Sequence, residues 1–164
     1  MKKLLLFTVM FLAYNGQAQT DRLLGVHFGA PVSDAADIST FNFGVDAAFL
    51  FYVTDEFYVG AAGGFTHFVG KEIDSEFSSV KLDGFNYIYF AGSVQYSFGK
   101  LFAAADVGFA FYSGDSDLGK SGVYYQPKLG YHIIDALDVY VSYKGLPGDG
   151  YTIATLGGGI TYRY

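Results

Sequence analysis

A few ionisable side chains stand alone in stretches that otherwise consist of small and apolar residues. They are Asp46, Asp106 and Lys128, with Arg163 close to the end of the chain. Carboxylates and cations in such surroundings can pass protons or ions along a path, or they can pair as a structural salt-bridge network. A narrow interior that has room only for side chains favours the salt-bridge network over an open path.

The three histidines, His27, His67 and His132, are the candidate metal ligands and general bases. No His-x-His or His-Glu-x-x-His spacing occurs, so we predict neither a metal site nor a cofactor. His27 and His132 are expected to join the polar network. His67 is the candidate base of a Ser/His/acid set, although the sequence places no serine and acid beside it.

The segments that carry these residues alternate between apolar and small or polar side chains. Residues 41–53 are the clearest case, with Phe, Val or Ala at every second position and Asn42, Gly44 and Asp46 between the first of them. A period of two predicts a β-strand with two unlike faces. Eight strands are predicted, at residues 24–29, 41–53, 57–66, 87–98, 101–111, 123–133, 137–144 and 151–164. We expect the first to end at Ala30-Pro31 and a bulge to form at Pro127.

The connections between these strands alternate between long and short. The long ones are residues 31–40, 68–84, 113–122 and 145–150, and the short ones are residues 54–56, 99–100 and 134–136. Outer-membrane barrels have short periplasmic turns and longer outer loops. The pattern therefore predicts an all-β fold, an eight-stranded antiparallel up-and-down transmembrane β-barrel with both termini on the periplasmic side.

The charge-free faces of the strands should point outward to lipid, because the opposite faces carry the isolated charges. An eight-stranded barrel has an interior only wide enough for side chains, so paired charges suit it. Asp106 is expected close to Lys128, and Asp46 close to His27. Aromatic residues gather at both ends of the apolar faces, as in membrane barrels: Phe51, Phe57, Tyr96, Phe98, Tyr162 and Tyr164 at the turn end, and Phe41, Phe43, Phe65, Phe109, Phe111 and Tyr125 at the loop end. A soluble secreted barrel with its apolar face inward is the alternative.

The beginning of the chain reads as a secretory signal. Lys2 and Lys3 precede an apolar run, and Ala18 provides a small residue for cleavage. The run is too short to cross a membrane as a helix. We therefore predict a signal peptide over residues 1–18 and a barrel domain over residues 19–164.

Composition narrows the class of protein further. Hydrophobic residues make up 51% of the 164 residues and charged residues 16%, against about a quarter charged in ordinary soluble domains. The formal charge is −6 and no basic stripe occurs, which argues against nucleic-acid binding. There is no cysteine, so a disulfide framework is excluded.

The last strand ends on Tyr164, with Tyr162 and Ile160 at the alternating positions before it. With the strand count and the loop asymmetry, this ending resembles the small eight-stranded outer-membrane barrels, the OmpX, OmpA-barrel and OmpW-like group. The resemblance implies that Ile160, Tyr162 and Tyr164 form a signal read by the barrel-assembly machinery. The usual last residue in that group is Phe, so Tyr164 is a departure.

We therefore expect a monomeric, non-catalytic protein of the outer membrane with a structural or surface-interaction role. A narrow porin-like channel for small solutes and a lipid-modifying enzyme are the alternatives. The expected partners are outer-membrane lipid, including lipopolysaccharide, and the assembly machinery. Acidic residues dominate the long loops: Asp34, Asp37, Glu72, Asp74, Glu76, Asp83, Asp115, Asp117 and Asp149, against Lys71, Lys81 and Lys120. They suggest a solvated surface, or cation bridging to lipopolysaccharide.

Overall fold

The alternating segments close into a single barrel. The computed structural model describes residues 20–75, 78–81, 84–113, 121–148 and 152–164, and for 72–75 and 78–81 the backbone only. The barrel strands are β1 Thr20–Ser33, β2 Ser39–Tyr52, β3 Phe57–Gly70, β6 Phe85–Phe98, β7 Leu101–Ser113, β8 Ser121–Ile134, β9 Leu137–Pro147 and β10 Thr152–Arg163. Each pairs antiparallel with its neighbours, and β1 pairs with β10. The predicted eight-stranded fold is confirmed.

The seam between the first and last strands runs almost the full length of both. The register extends from Leu23 opposite Arg163 to Ser33 opposite Ile153. At its end the Tyr164 N–H donates a hydrogen bond to the Arg22 carbonyl at 3.0 Å. Closure leaves the sheet without an edge, so backbone groups along the seam are paired.

The two faces of the strands lie as the alternation predicts. Phe90, Val107 and Leu129 point outward and are 65%, 61% and 64% exposed, whereas the lumen-facing Tyr89 and Asp106 are fully buried. The outside of the barrel is therefore apolar and its inside polar and aromatic. The predicted aromatic residues at the two ends also point outward, with Phe57 and Tyr125 half-buried and the others exposed.

Three short turns join the strands at one end, which we call the turn end; the opposite end is the loop end. In the first turn the Thr54 hydroxyl accepts a hydrogen bond from the Phe57 N–H at 3.0 Å. In the second, Gly99 has a φ of +65°, a conformation that favours glycine. The third consists of residues 135–136. All three were predicted.

Two predicted strand ends are wrong. β1 continues through Pro31 to Ser33, and β9 continues through Gly145 to Pro147. Beyond Gly29, β1 pairs only with β10, so Pro31 lies at a local edge where a missing N–H is tolerated. In both cases the pairing along β10 extends the strand past residues that would otherwise form a turn.

The bulge predicted at Pro127 is also wrong. The register between β8 and β9 is the same at Tyr125 opposite Gly145 and at Lys128 opposite Ser142. Pro127 thus removes a donor without adding an extra residue. The register shift lies nearer the turn end, between His132 and Ile134.

Two of the long connections contain regular structure. Residues 68–84, predicted as a loop, extend β3 to Gly70 and then form a separate hairpin of β4 Glu72–Ser75 and β5 Ser78–Lys81. Residues 31–40 contain a short helix, α1 Ala35–Ile38, whose Ala35 is fully buried. No helix in the described part of the chain is long and apolar enough to span a membrane. The predicted signal peptide lies outside the described residues.

Candidate functional site: the barrel lumen

The centre of the lumen is organised around the carboxylate of Asp46. It accepts hydrogen bonds from the hydroxyls of Tyr89 and Tyr140, both at 2.8 Å, and His27 Nδ1 lies 2.8 Å from it. The buried ammonium of Lys144 lies 3.6 Å away. Four strands therefore converge on one carboxylate, which we call the Asp46 group. Several donors around a buried carboxylate compensate for its lost hydration.

Small residues make room for this group on the inner wall. A Cβ atom at Gly44 would lie 2.7 Å from the His27 ring, and one at Gly64 would lie 2.6 Å from the Asp46 carboxylate. Both positions also lie close to the backbone of a neighbouring strand. Glycine thus allows tight curvature of the sheet and leaves space for the charged centre.

A second ion pair lies beside the first. The Asp106 carboxylate is fully buried, accepts a hydrogen bond from the Ser93 hydroxyl at 2.6 Å and lies 2.5 Å from Lys128 Nζ. Lys128 also lies over the Tyr140 ring, 5.6 Å from its centroid. Tyr140 therefore links this pair, the Asp106 group, to Asp46.

A third cluster, the turn-end group, lies where the lumen meets the three turns. Arg163 forms ion pairs with Asp21 and with Asp138, the latter at 2.8 Å. His132 Nδ1 lies 2.5 Å from Asp138, and the Tyr52 hydroxyl donates to Asp21 at 2.9 Å. One guanidinium thus connects β10 to both of its neighbours, β1 and β9, at the end of the seam.

The other half of the lumen is filled by aromatic rings. Phe68 stacks on Phe85 with centroids 4.5 Å apart, and Tyr89 stacks on Tyr124 at 4.1 Å. Tyr87 contacts both Phe68 and Tyr124. We call these five residues the aromatic seal. They pack with buried aliphatic residues of α1, β9 and β10, namely Ala35, Leu146 and Ile153.

The structure brings together the predicted partners. Asp106 lies against Lys128, and Asp46 lies against His27. His132 and Arg163 meet through Asp138. The sequence interpretation did not single out the remaining members of these groups: Asp21, Tyr52, Tyr89, Ser93, Asp138, Tyr140 and Lys144. Except for Asp21, which precedes the predicted first strand, their positions in the alternation place them on the inner face.

The predicted assembly residues do not belong to the lumen. Ile160, Tyr162 and Tyr164 are exposed on the outer face, and the Tyr162 and Tyr164 rings stack with centroids 6.2 Å apart. Their role in assembly stays a prediction.

His67 lies on the outer face near the loop end. Its Nδ1 is 2.6 Å from the side-chain oxygen of Asn86, and its ring contacts Phe43. The partner of the imidazole is thus an amide, which does not supply the charge of a triad carboxylate. Among the described residues, no group of three or more His, Asp or Glu side chains is arranged to hold a metal ion.

The loop acids are only partly described. Asp34 accepts a hydrogen bond from the Thr152 N–H at 2.6 Å, which ties α1 to the start of β10. Lys71 donates to the Ala36 carbonyl at 3.2 Å. The acidic pair at Asp115 and Asp117 lies outside the described residues.

Comparison with known proteins finds similarity at the level of fold. No protein-family model matches the chain, and no curated protein sequence does. Ail of Yersinia pestis superimposes with a TM-score of 0.57 at 16% identity, over 90% of this chain and 99% of that one. The N-terminal β-barrel domain of OprF from Pseudomonas aeruginosa gives 0.53 at 18% identity, over 87% and 97%. A designed transmembrane β-barrel gives 0.51 at 14%, over 88% and 95%.

The fold is therefore that of the small, closed, eight-stranded barrels of the outer-membrane type. The chain shares its architecture with Ail and the OprF barrel across nearly the whole length of each, as the resemblance in the sequence predicts. At these identities the likeness concerns the fold, so function has to be argued from this chain's own residues.

Proposed function

We propose that the protein is an integral, non-catalytic protein of the bacterial outer membrane, with a closed lumen and a structural or surface-interaction role. The observation that carries the proposal is the orientation of the strand faces, which is the reverse of that in a soluble barrel. Large apolar side chains point outward along all eight strands, while charged residues are buried inside. Soluble proteins rarely expose apolar patches larger than a few hundred Å², and a closed barrel is one of the two folds that satisfy every backbone group in lipid.

The filled lumen favours a non-conducting protein over a channel. The aromatic seal occupies the loop half, and the ion pairs of Asp46 and Asp106 occupy the centre. An ion that crosses would have to displace stacked rings and break buried pairs. The narrow channel is therefore the second candidate, and a conductance measurement decides it.

The outer loops favour contacts with cations. The structure of Ail was solved in complex with the heparin analogue sucrose octasulfate, a polyanion. Here the long connections carry nine acidic residues against three lysines, which disfavours a polyanionic ligand. Divalent cations that bridge these acids to lipopolysaccharide fit the charge better. We propose contacts with lipid and a monomeric state, without nucleic acid or a cofactor.

The proposal is tested by membrane fractionation together with heat-modifiability on a detergent gel. We expect the protein in the outer-membrane fraction and a mobility shift on boiling. Recovery in the soluble periplasm would contradict the membrane location.

Planar-bilayer recording tests the closed lumen. We expect no steady conductance from the native protein. The Tyr89→Ala/Tyr124→Ala variant removes a stacked pair of the seal and serves as the positive control, because it should raise the frequency of openings. A large, steady conductance from the native protein would establish the channel instead. A changed lipid A mass in cells that depends on the gene would establish the enzyme.

A further inference from the structure

A small cavity lies in the lumen between the centre and the turn end. Its volume is about 40 Å³. Its wall is mixed: polar residues from several strands, among them Asp46, Gln95, Lys128 and Asp138, line it together with apolar residues such as Leu50 and Phe102. The cavity thus touches the Asp46 group, the Asp106 group and the turn-end group.

The wall of this cavity has the chemistry of a water site. A buried water needs about 10–15 Å³ of such volume and two to four polar partners, whereas cavities that stay dry are apolar. Lys128 has three donors, of which its contact with Asp106 occupies one. The Gln95 amide has a hydrogen bond of only 3.4 Å, to Ser97. The cavity therefore has room and polar partners for at least one water molecule.

The cavity is close to solvent at the turn end. An open vestibule of about 800 Å³ lies there, with Ser97, His132 and Arg163 in its wall. Two contacts join the wall of the cavity to that of the vestibule, the hydrogen bond from Gln95 to Ser97 and the ion pair of Asp138 with Arg163 at 2.8 Å. Apolar contacts also bridge the two walls, since Leu23 and Leu50 of the cavity pack with Tyr58 of the vestibule. One layer of side chains, polar on one side of the lumen and apolar on the other, therefore separates the two spaces.

At the loop end the cavity meets the aromatic seal. Tyr89 belongs to both, since it lines the cavity and stacks on Tyr124. Tyr87, Tyr89 and Tyr124 are fully buried. The Gln126 side chain lies against this seal, accepts a hydrogen bond from Tyr124 and is itself fully buried. Its amide nitrogen has no hydrogen-bond partner among the described residues, so water that passed the seal would be expected to bind there.

We propose that this cavity of the lumen binds water, which exchanges with solvent at the turn end and is sealed from the loop end. The proposal rests on the proposed closed lumen and adds that water enters the lumen from the turn end only. The water lies between the turn-end group and the side chains of Asp46 and Lys128, and it does not extend past the aromatic seal.

A matched pair of cysteine variants tests the asymmetry, because the native chain contains no cysteine. Ala104 lines the cavity, and Ala110 lies six residues further along β7 within the aromatic cluster. In folded protein in micelles, Ala104→Cys should react with Ag⁺ at least about tenfold faster than Ala110→Cys, since reaction at a sealed site requires local opening. Equal protection of both would show that the cavity is inaccessible, and equal reaction of both would show that no seal exists.

The native protein supplies a second test that needs no folding of a variant. NMR in micelles should show exchange cross-peaks with water for the Gln95 side-chain amide and none for the Gln126 side-chain amide. Water contact at Gln126, or its absence at Gln95, would overturn the proposal. Both tests use the folded, heat-modifiable protein in detergent. A negative result would therefore contradict the water proposal without contradicting the proposed membrane location. A steady bilayer conductance would instead remove the closed lumen itself.

Discussion

Removal of the two charges in the Asp46 group, those of Asp46 and Lys144, should destabilise the protein to different degrees. Asp46 keeps three neutral or histidine partners if Lys144 is removed, namely His27, Tyr89 and Tyr140. Lys144 has a weaker reserve. Its buried ammonium lies over the Tyr89 ring, 5.8 Å from the centroid, but among the described residues it has no hydrogen-bond acceptor beyond the Asp46 carboxylate at 3.6 Å. Loss of the carboxylate charge should therefore be the more harmful change.

The magnitudes follow from the burial of the two side chains. Asp46→Asn keeps an acceptor for only one of the two tyrosine hydroxyls, which bind different carboxylate oxygens, and it leaves the Lys144 charge uncompensated. It should lower the free energy of unfolding by about 3–5 kcal/mol. Lys144→Met leaves a carboxylate that is still hydrogen-bonded, so we expect a loss of about 1–3 kcal/mol. In the double variant no buried charge remains unpaired at this point, and its loss should be smaller than that of Asp46→Asn alone.

The assay is reversible urea unfolding in lipid vesicles or micelles, followed by the gel shift between folded and unfolded protein. The three variants and the native protein form a double-mutant cycle. A double variant as unstable as the sum of the two single variants would refute the reasoning. So would a loss for Lys144→Met that equals the loss for Asp46→Asn.

Three further predictions concern the seam, the lipid face and the inner wall. Deletion of Tyr164 should reduce heat-modifiable barrel in outer-membrane fractions more than any single loop substitution, while refolding of the purified chain stays near normal. Val107→Lys should destabilise the barrel in bilayers by about 2–4 kcal/mol and Val53→Lys by about 0–1 kcal/mol, because Val107 lies within the membrane span and Val53 in a turn. The two side chains are exposed to a similar degree, so they form a matched pair. Equal, small effects of both substitutions would indicate a water-soluble barrel. Gly64→Ala should lower the urea midpoint, since its Cβ would lie 2.5 Å from a backbone oxygen, whereas Gly92→Ala, whose nearest contact is at 3.9 Å, should not.

The strands and their two faces could be predicted because both depend on a local signal. A period of two assigns each side chain to the inside or the outside before any partner is known. Asp106 and Lys128 could be placed together because they lie on consecutive strands around one loop. The same parity put Asp138 and Lys144 on the inner face, but nothing local distinguished them from ordinary surface charges.

The composition of the charge groups could not be predicted in the same way. Asp46 on β2 receives the hydroxyl of Tyr140 on β9, 94 positions along the chain, and only the diameter of the closed barrel brings them within reach. The ends of β1 and β9 were predicted wrongly for a related reason. Pro31 and the run from Gly145 to Pro147 have the chemistry of turns. Pairing with β10, from β1 in the first case and from β9 in the second, overrides it.

The same long-range contacts give the buried charges a part in defining the fold. A shift of one residue in the pairing of a strand moves all of its side chains to the opposite face. For β9 such a shift would turn Asp138 and Lys144 outward toward lipid and break their contacts with Arg163 and Asp46. A lysine exposed to lipid costs up to about 2–4 kcal/mol near the midplane, and an aspartate near the interface costs less. An apolar lumen would carry no such penalty. The ion pairs therefore stabilise the native register relative to its nearest alternatives, even where they add little to stability in comparison with an apolar core.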